Sequence, residues 1–231
     1  MAKREALDIS AYLVVGPENT QGRPVREIVR AAVLGGFTCV QLRSKEASAR
    51  ALIALCGEVA QELEKLGAKE KVALLVDDRL DVVLAAREQG FAVDGIHVGQ
   101  KDIPPEVCRK YLGEAAIVGL SAPIDELFSY IENTDLSAID YFGAGPLHPT
   151  ETKKDAGINA KGEFKTRSLS DLTRLAKVSP VPVVVGGGVK AADLPELKKT
   201  GVNGFFVVSA IAGVAQPQQA AEEMSGLWRR L

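Results

Sequence analysis

Short apolar runs recur along the chain at residues 12–15, 38–42, 72–76, 95–98, 116–120, 139–142, 181–185 and 204–208. They are continuous rather than strictly alternating. That pattern suits strands covered on both faces, as in a parallel sheet flanked by helices. Amphipathic segments lie between them at 48–66, 80–89, 105–112, 124–133, 169–178, 192–200 and 216–231. Ser48 precedes an alanine-rich segment, Gly67 follows it, and Pro104-Pro105 opens another. These are helix start and stop signals. Strand–helix alternation eight times over predicts one (β/α)8 barrel, an α/β fold, spanning residues 1–231. A doubly wound open sheet is the second architecture with this alternation. No linker or low-complexity stretch divides the chain.

A length of 231 residues suits a single barrel domain. The formal charge of −2 gives no reason to expect nucleic acid or an anionic membrane surface as a partner. No run reaches the roughly 18 apolar residues of a membrane span. The first residues, Met1-Ala2-Lys3-Arg4-Glu5, carry charge and no apolar signal core. Cys39, Cys56 and Cys108 show no metal or redox spacing and read as buried reduced thiols. Together these features point to a soluble, cytoplasmic protein. Assembly into a homo-oligomer stays open.

In a barrel the loops after the strands share one face, and the active site sits there. The unusual polar residues of this chain fall at those positions. Gln41, Arg43 and Lys45 end the second strand, and Asp77, Asp78 and Arg79 the third. Gln100 and Asp102 follow the fourth, Ser121 the fifth, and Thr150, Thr152 and Lys153 the sixth. Gly186-Gly187-Gly188 follows the seventh and Ser209 ends the eighth. Each element also has a plain structural use. Gln41, Arg43 and Lys45 fit a solvated edge strand, Asp77, Asp78 and Asp102 fit helix caps, and the glycines fit a tight turn. In a barrel, however, alternate residues point inward, so Gln41, Arg43 and Lys45 would line the lumen together. Adjacent carboxylates repel and a cation relieves that, and two carboxylates plus substrate phosphates is a usual Mg²⁺ shell. The glycines with the helix start near Ser209 resemble a barrel phosphate cup. His97 lies inside an apolar run and reads as structural, whereas His148 fits either role.

The segment Gly145-Pro146-Leu147-His148-Pro149-Thr150-Glu151-Thr152-Lys153 places two hydroxyls and an ammonium after the sixth strand, a grip for an anionic ligand. It opens a connection at about 146–168 that also carries Lys154, Lys161, Lys165 and Arg167. Loops of that length in compact domains are usually functional or disordered; a lid over the mouth is the expectation here, with a merely disordered insertion as the alternative.

Gln-x-Arg-x-Lys at 41–45, Asp-Asp-Arg at 77–79, Gly-Gln-x-Asp at 99–102, Gly-Leu-Ser at 119–121, Gly-Pro-x-x-Pro-Thr-x-Thr-Lys at 145–153, Gly-Gly at 187–188 and Val-Ser at 208–209 resemble, in order, the thiamine phosphate synthase family. The resemblance covers nearly the whole chain. It implies a (β/α)8 transferase that joins a hydroxymethylpyrimidine diphosphate to a thiazole phosphate, releasing diphosphate and thiamine monophosphate, with Mg²⁺ as cofactor. By that likeness Gln41, Arg43, Lys45, Asp77, Ser121 and Lys153 hold the pyrimidine diphosphate. Asp78 and Asp102 bind the metal. Thr150, Thr152, Gly188, Val208 and Ser209 hold the thiazole phosphate. Arg43, Lys45, Ser121 and Lys153 are the residues expected to act in catalysis.

Two positions depart from the family pattern. Asp77 stands where the family usually has Asn and cannot donate amide hydrogen bonds. Ala122-Pro123-Ile124 replaces a polar, histidine-containing run. The related thiazole tautomerases tend to lack the metal aspartates and to keep a histidine in that loop. A sugar-phosphate isomerase or epimerase, and a non-catalytic ligand-binding barrel, are the remaining alternatives.

Overall fold

The computed structural model describes residues 3–122, 124–149 and 166–231. The expected positions Thr150, Thr152 and Lys153, and most of the expected lid, lie outside the described residues, as does Pro123. Eight parallel strands close into a barrel in sequence order, with β8 paired back to β1. They are β1 (Ala11–Val15), β2 (Cys39–Leu42), β3 (Ala73–Asp77), β4 (Gly95–Gly99), β5 (Ile117–Ser121), β6 (Tyr141–Ala144), β7 (Val183–Val185) and β8 (Gly204–Val207). The helices are α1 (Val25–Leu34), α2 (Ala49–Lys65), α3 (Leu80–Glu88), α4 (Pro105–Leu112), α5 (Ile124–Asn133), α6 (Leu169–Val178), α7 (Leu194–Lys199), the short α8 (Ser209–Ala212) and α9 (Pro217–Arg230). The expected (β/α)8 architecture is thus the one observed. No helix among the described residues is long and apolar enough to cross a membrane.

Two differences from the sequence reading have clear causes. Helix α1 was not expected. Its signal is Pro24 followed by Val25, Ile28, Val29 and Ala32, all buried on one face at helical spacing. Strand β6 begins at Tyr141 rather than residue 139, because Ile139 closes a turn on the Leu136 carbonyl. The Asp140 side chain meanwhile reaches Arg109 on α4 at 2.6 Å.

Period-two alternation sorts the strand side chains into two layers. Val40, Leu42, Leu74, Val76, Val118 and Leu120 point outward and pack beneath the helices. Tyr12, Val14, Cys39, Ala73, Leu75, Ile117, Tyr141 and Val184 fill the lumen. Helix ends follow the local signals. Ser48 accepts the Ala51 N–H at 3.2 Å, Ser168 accepts the Asp171 N–H at 3.1 Å, and Gly67 takes φ +62° after α2. All three cysteines are buried and unpaired, and burial pushes the Cys56 thiol up to about 12 and that of Cys108 to about 11.

The lower rim is closed by a repeated device. The residue before each even-numbered strand sends its side chain to a backbone N–H of the preceding odd strand. Thr38 Oγ1 takes Ala11 N–H at 3.4 Å, Asp94 takes Leu74 at 2.8 Å, Asp140 takes Val118 at 2.7 Å, and Asn203 takes Val183 at 2.9 Å. Each completes a ladder position where the strand pairing starts. Two of these carboxylates also anchor the N-terminal segment: Lys3 reaches Asp94 at 2.8 Å and Arg4 reaches Asp140 at 2.6 Å. Among the described residues Arg109 and Asp140 are the most enclosed ion pair, with side chains 8% exposed each. Truncating one partner of a buried ion pair leaves the other uncompensated. Asp140→Ala should therefore lower the unfolding free energy by about 3–5 kcal/mol, read from the midpoint of urea denaturation.

Candidate active site

The polar residues at the upper rim continue the inward parity of the lumen. On β2, Gln41 follows Cys39 inward and is 4% exposed. Arg43 continues the same parity just past the strand and lies 3.1 Å from Asp77, through Nε to Oδ2. Lys45, half-exposed, pairs with Asp78 and lies 3.6 Å from Asp77. Asp78 sits at φ +59°, a conformation a non-glycine residue seldom adopts. Its N–H extends the ladder to the His97 carbonyl at 2.8 Å, which fixes the strained residue at the rim.

Asp78 and Asp102 are in contact, and their ionisation is split by their surroundings. Burial alone would raise Asp78, but its hydrogen bond and charge contact with Lys45 hold it below the usual carboxylate range. Burial and the neighbouring Asp78 carboxylate raise Asp102. Lys45 is raised in turn: burial opposes its charge, and Asp78 and Asp77 outweigh that. Asp102 also accepts the Gly99 N–H at 2.9 Å. Two crowded carboxylates beside an ammonium form an oxygen donor set that suits Mg²⁺ completed by substrate phosphates. Among the described residues no group of three His, Cys, Asp or Glu side chains forms a self-sufficient metal cage. Asp77 is drawn instead toward Arg43. Arg79 leaves the site altogether, since its guanidinium pairs with Asp81 at 2.6 and 2.8 Å.

Across the mouth, Ser121 Oγ lies 2.7 Å from His97 Nε2, and His97 Nδ1 lies 2.8 Å from the Tyr141 hydroxyl. Two glycines make this contact sterically possible. A Cβ at Gly119 would meet Tyr141 Cζ at 2.2 Å, and one at Gly143 would meet Ser121 Oγ at 2.5 Å. From sequence His97 is expected to be structural, and neither lumen tyrosine is expected at the site. Their signal was present: a phenol inside an apolar strand needs a partner for its hydroxyl, and Tyr12 shares its inward parity with Gln41.

The remaining expected residues occupy the β6, β7 and β8 ends. Gly187 and Gly188 take φ +79° and +74°. The segment after β6 lies against them: Leu147 N–H bonds the Gly186 carbonyl at 3.0 Å and His148 N–H bonds that of Gly187 at 2.9 Å. His148 Nε2 adds a contact to Asp193 at 3.0 Å. Arg167 folds beneath the same segment, donating to the Gly145 carbonyl at 2.9 Å. Both ends of the long connection are thereby tied to one place. Val208 packs at the top of the lumen and Ser209 begins α8. Arg23 holds the far end of α8 through the Ala212 and Val214 carbonyls at 2.6 and 2.8 Å. The structure thus gathers Arg43, Lys45, Asp77, Asp78 and Asp102 into one charged cluster. It joins Ser121 to His97, and it sets Gly188, Val208 and Ser209 on the neighbouring β7 and β8 ends.

Comparison with known proteins supplies the family. A family model described as thiamine monophosphate synthase matches residues 11–211. The thiamine-phosphate synthase of Corynebacterium efficiens is 40% identical over 221 residues, covering 96% of this chain and 95% of that protein. That of Clostridium tetani is 32% identical over 223 residues, covering 96% and 97%. Among solved structures, a thiamine phosphate pyrophosphorylase from Pyrococcus furiosus aligns with a TM-score of 0.77 at 27% identity, covering 96% of each chain. A 3-hexulose-6-phosphate synthase, 15% identical with a TM-score of 0.64, shares the fold alone. With the family match running through every barrel strand and the relatives matched end to end, this chain belongs to the thiamine monophosphate synthase family.

Proposed function

We propose that this chain is a thiamine phosphate synthase that condenses 4-amino-2-methyl-5-hydroxymethylpyrimidine diphosphate with 4-methyl-5-hydroxyethylthiazole phosphate, forming thiamine monophosphate and diphosphate. The observation that carries the reading is the contact pair Asp78–Asp102 facing Lys45 and Arg43 at the barrel mouth. Asp78 and Asp102 would hold Mg²⁺, which when bound neutralises charge on the diphosphate. Arg43, Lys45 and Lys153 grip the leaving diphosphate, a preorganised electrostatic effect. Gln41, Asp77 and Ser121 orient the pyrimidine. Thr150, Thr152, Gly188, Val208 and Ser209 take the thiazole phosphate. The carbon–oxygen bond to diphosphate breaks first, the aminopyrimidine spreads the positive charge, and the thiazole nitrogen then attacks the exocyclic carbon. Positioning two substrates supplies much of the rate. The working compartment is the cytoplasm.

Purified protein with both substrates and Mg²⁺ should yield thiamine monophosphate, read as its fluorescent oxidation product. Product should vanish with EDTA and return with added Mg²⁺. Metal-independent turnover of a thiazole or sugar phosphate would instead favour another phosphate-handling barrel enzyme. Lys153→Ala should lower kcat by about 10²–10³-fold, the usual cost of losing one transition-state charge partner. Asp102→Ala should abolish the Mg²⁺ response with the circular dichroism spectrum unchanged, and near-normal activity in either variant contradicts its role.

Asp77 competes with the ligand for Arg43 and Lys45. Asp77→Asn removes that carboxylate and should tighten binding of inorganic diphosphate with Mg²⁺ by about 3–10-fold, as one exposed-to-buried charge contact of about 1 kcal/mol allows. Titration calorimetry measures it. Weaker binding in Asp77→Asn would place Asp77 itself in the metal shell.

A further inference from the structure

Four hydrogen bonds run without a break through the barrel lumen. Gln41 Nε2 donates to the Tyr12 hydroxyl at 2.6 Å. The Tyr12 and Tyr141 hydroxyls lie 2.9 Å apart, Tyr141 lies 2.8 Å from His97 Nδ1, and His97 Nε2 lies 2.7 Å from Ser121 Oγ. The path starts on β2, passes β1, crosses to β6, and returns by β4 to β5. Tyr12 and Tyr141 are 1% and 0% exposed and are surrounded by Val14, Leu75, Ile117 and Val184. Burial raises both phenols well above their usual range, so each keeps its proton.

With Gln41 Nε2 donating to Tyr12, the proton count sets the direction of the other three bonds. Gln41 spends an N–H on Tyr12, and an amide nitrogen cannot accept in return. The Tyr12 proton then goes to Tyr141 rather than to the Cys39 sulfur, its other partner and a weak acceptor, and that of Tyr141 goes to His97 Nδ1. His97 is therefore the Nε2–H tautomer and donates to Ser121 Oγ. Ser121 is left with its own proton directed away from the histidine, and Gln41 with an amide oxygen that has no partner among the described residues. Reversal gives the opposite ends: Ser121 spends its proton on His97, and Gln41 spends its oxygen on Tyr12. Intermediate arrangements strand a phenol proton in an apolar lumen, which is costly.

We propose that Tyr12, Tyr141 and His97 are positioning residues forming a polarity lock, which makes Ser121 a donor into the mouth whenever Gln41 offers its carbonyl there. The lock selects a heteroaromatic ligand with an amine to give to Gln41 and a ring nitrogen to accept from Ser121. This ligand class rests on the synthase reading; the lock itself does not. An aminopyrimidine meets both requirements, and its hydroxypyrimidine counterpart, with a carbonyl in place of the amine, faces the Gln41 oxygen as acceptor against acceptor.

The test uses the whole protein with ¹⁵N-histidine, whose spectrum contains only His97 and His148. A His148→Asn variant assigns them. Nitrogen shifts distinguish the two neutral tautomers, and His97 should be the Nε2–H form. Gln41→Glu replaces the amide donor with a carboxylate acceptor. At about pH 9, where a carboxyl near its ordinary pKa is ionised, it should pull the Tyr12 proton back and invert the chain, converting His97 to Nδ1–H three hydrogen bonds away. Adding Tyr12→Phe to Gln41→Glu cuts the path and should restore Nε2–H. Retention of Nε2–H in folded Gln41→Glu, or inversion that survives Tyr12→Phe, overturns the lock. Should Gln41→Glu not fold, Tyr141→Phe decides: it removes the donor at Nδ1 and should leave His97 exchanging between both tautomers, whereas a single Nε2–H form shows local control and overturns the proposal. None of these readouts depends on turnover, so failure of the lock and failure of the synthase assignment are separate results.

Discussion

Alternation of side chains along eight parallel strands, closed into a ring, is the constraint on which the molecule depends. It sends one residue out beneath the helices and the next into the lumen, with no freedom to shift by one without exchanging the two layers. Outward positions are apolar and buried. Inward positions change character with height: Ile9 near the bottom, then Tyr12, Cys39, Ile117 and Tyr141, then Gln41, His97 and Ser121, and at the rim Arg43 and Asp77. The site is the upper continuation of the same inward rows that fill the core. Its charged groups inherit their directions from strands held by neighbours on both sides.

The charged cluster at the rim is held together by opposition rather than by deep burial. Asp77 and Asp78 are adjacent in sequence, Asp102 touches Asp78, and Arg43 and Lys45 reach in from β2. Lys45 is half-exposed, so its contribution to stability is small once solvent screening is counted. The cluster carries two positive groups against three carboxyls, a balance suited to admitting a cation together with an anionic substrate. The left-handed backbone at Asp78 belongs to the same arrangement, since it turns that carboxyl toward Asp102 instead of along the strand.

Much of this was legible in the sequence, for definable reasons. Continuous β-branched runs located all eight strands to within a few residues, because a strand buried on both faces cannot hide its composition. The motif at 41–45 announced a shared inward face, and the paired carboxylates at 77–78 with Asp102 announced a charge problem needing a cation. Helix α1 was missed although its apolar spacing was regular, because no side-chain cap marks its start. Arg79 is adjacent to the site in sequence and absent from it in space, because Asp81 two residues on gives it a bidentate partner. The lumen tyrosines and His97 were hidden for a different reason. Their meaning lies in contacts between β1, β4 and β6, and no local pattern encodes which residues face one another across a closed ring.

The four side-chain ties at the lower rim have a consequence for how such a chain can be rearranged. Thr38, Asp94, Asp140 and Asn203 each join an even strand to the odd strand just before it, so these side-chain ties mark off four strand pairs within a floor whose backbone hydrogen bonds run on from pair to pair. New chain ends opened at 66–72, 113–116 or 179–182 fall between pairs. Each tie would still close a short stretch of its own chain. A circular permutant cut at those places keeps every pair as a self-completed unit, and the quarter-barrel becomes the natural module for shuffling or duplicating this scaffold.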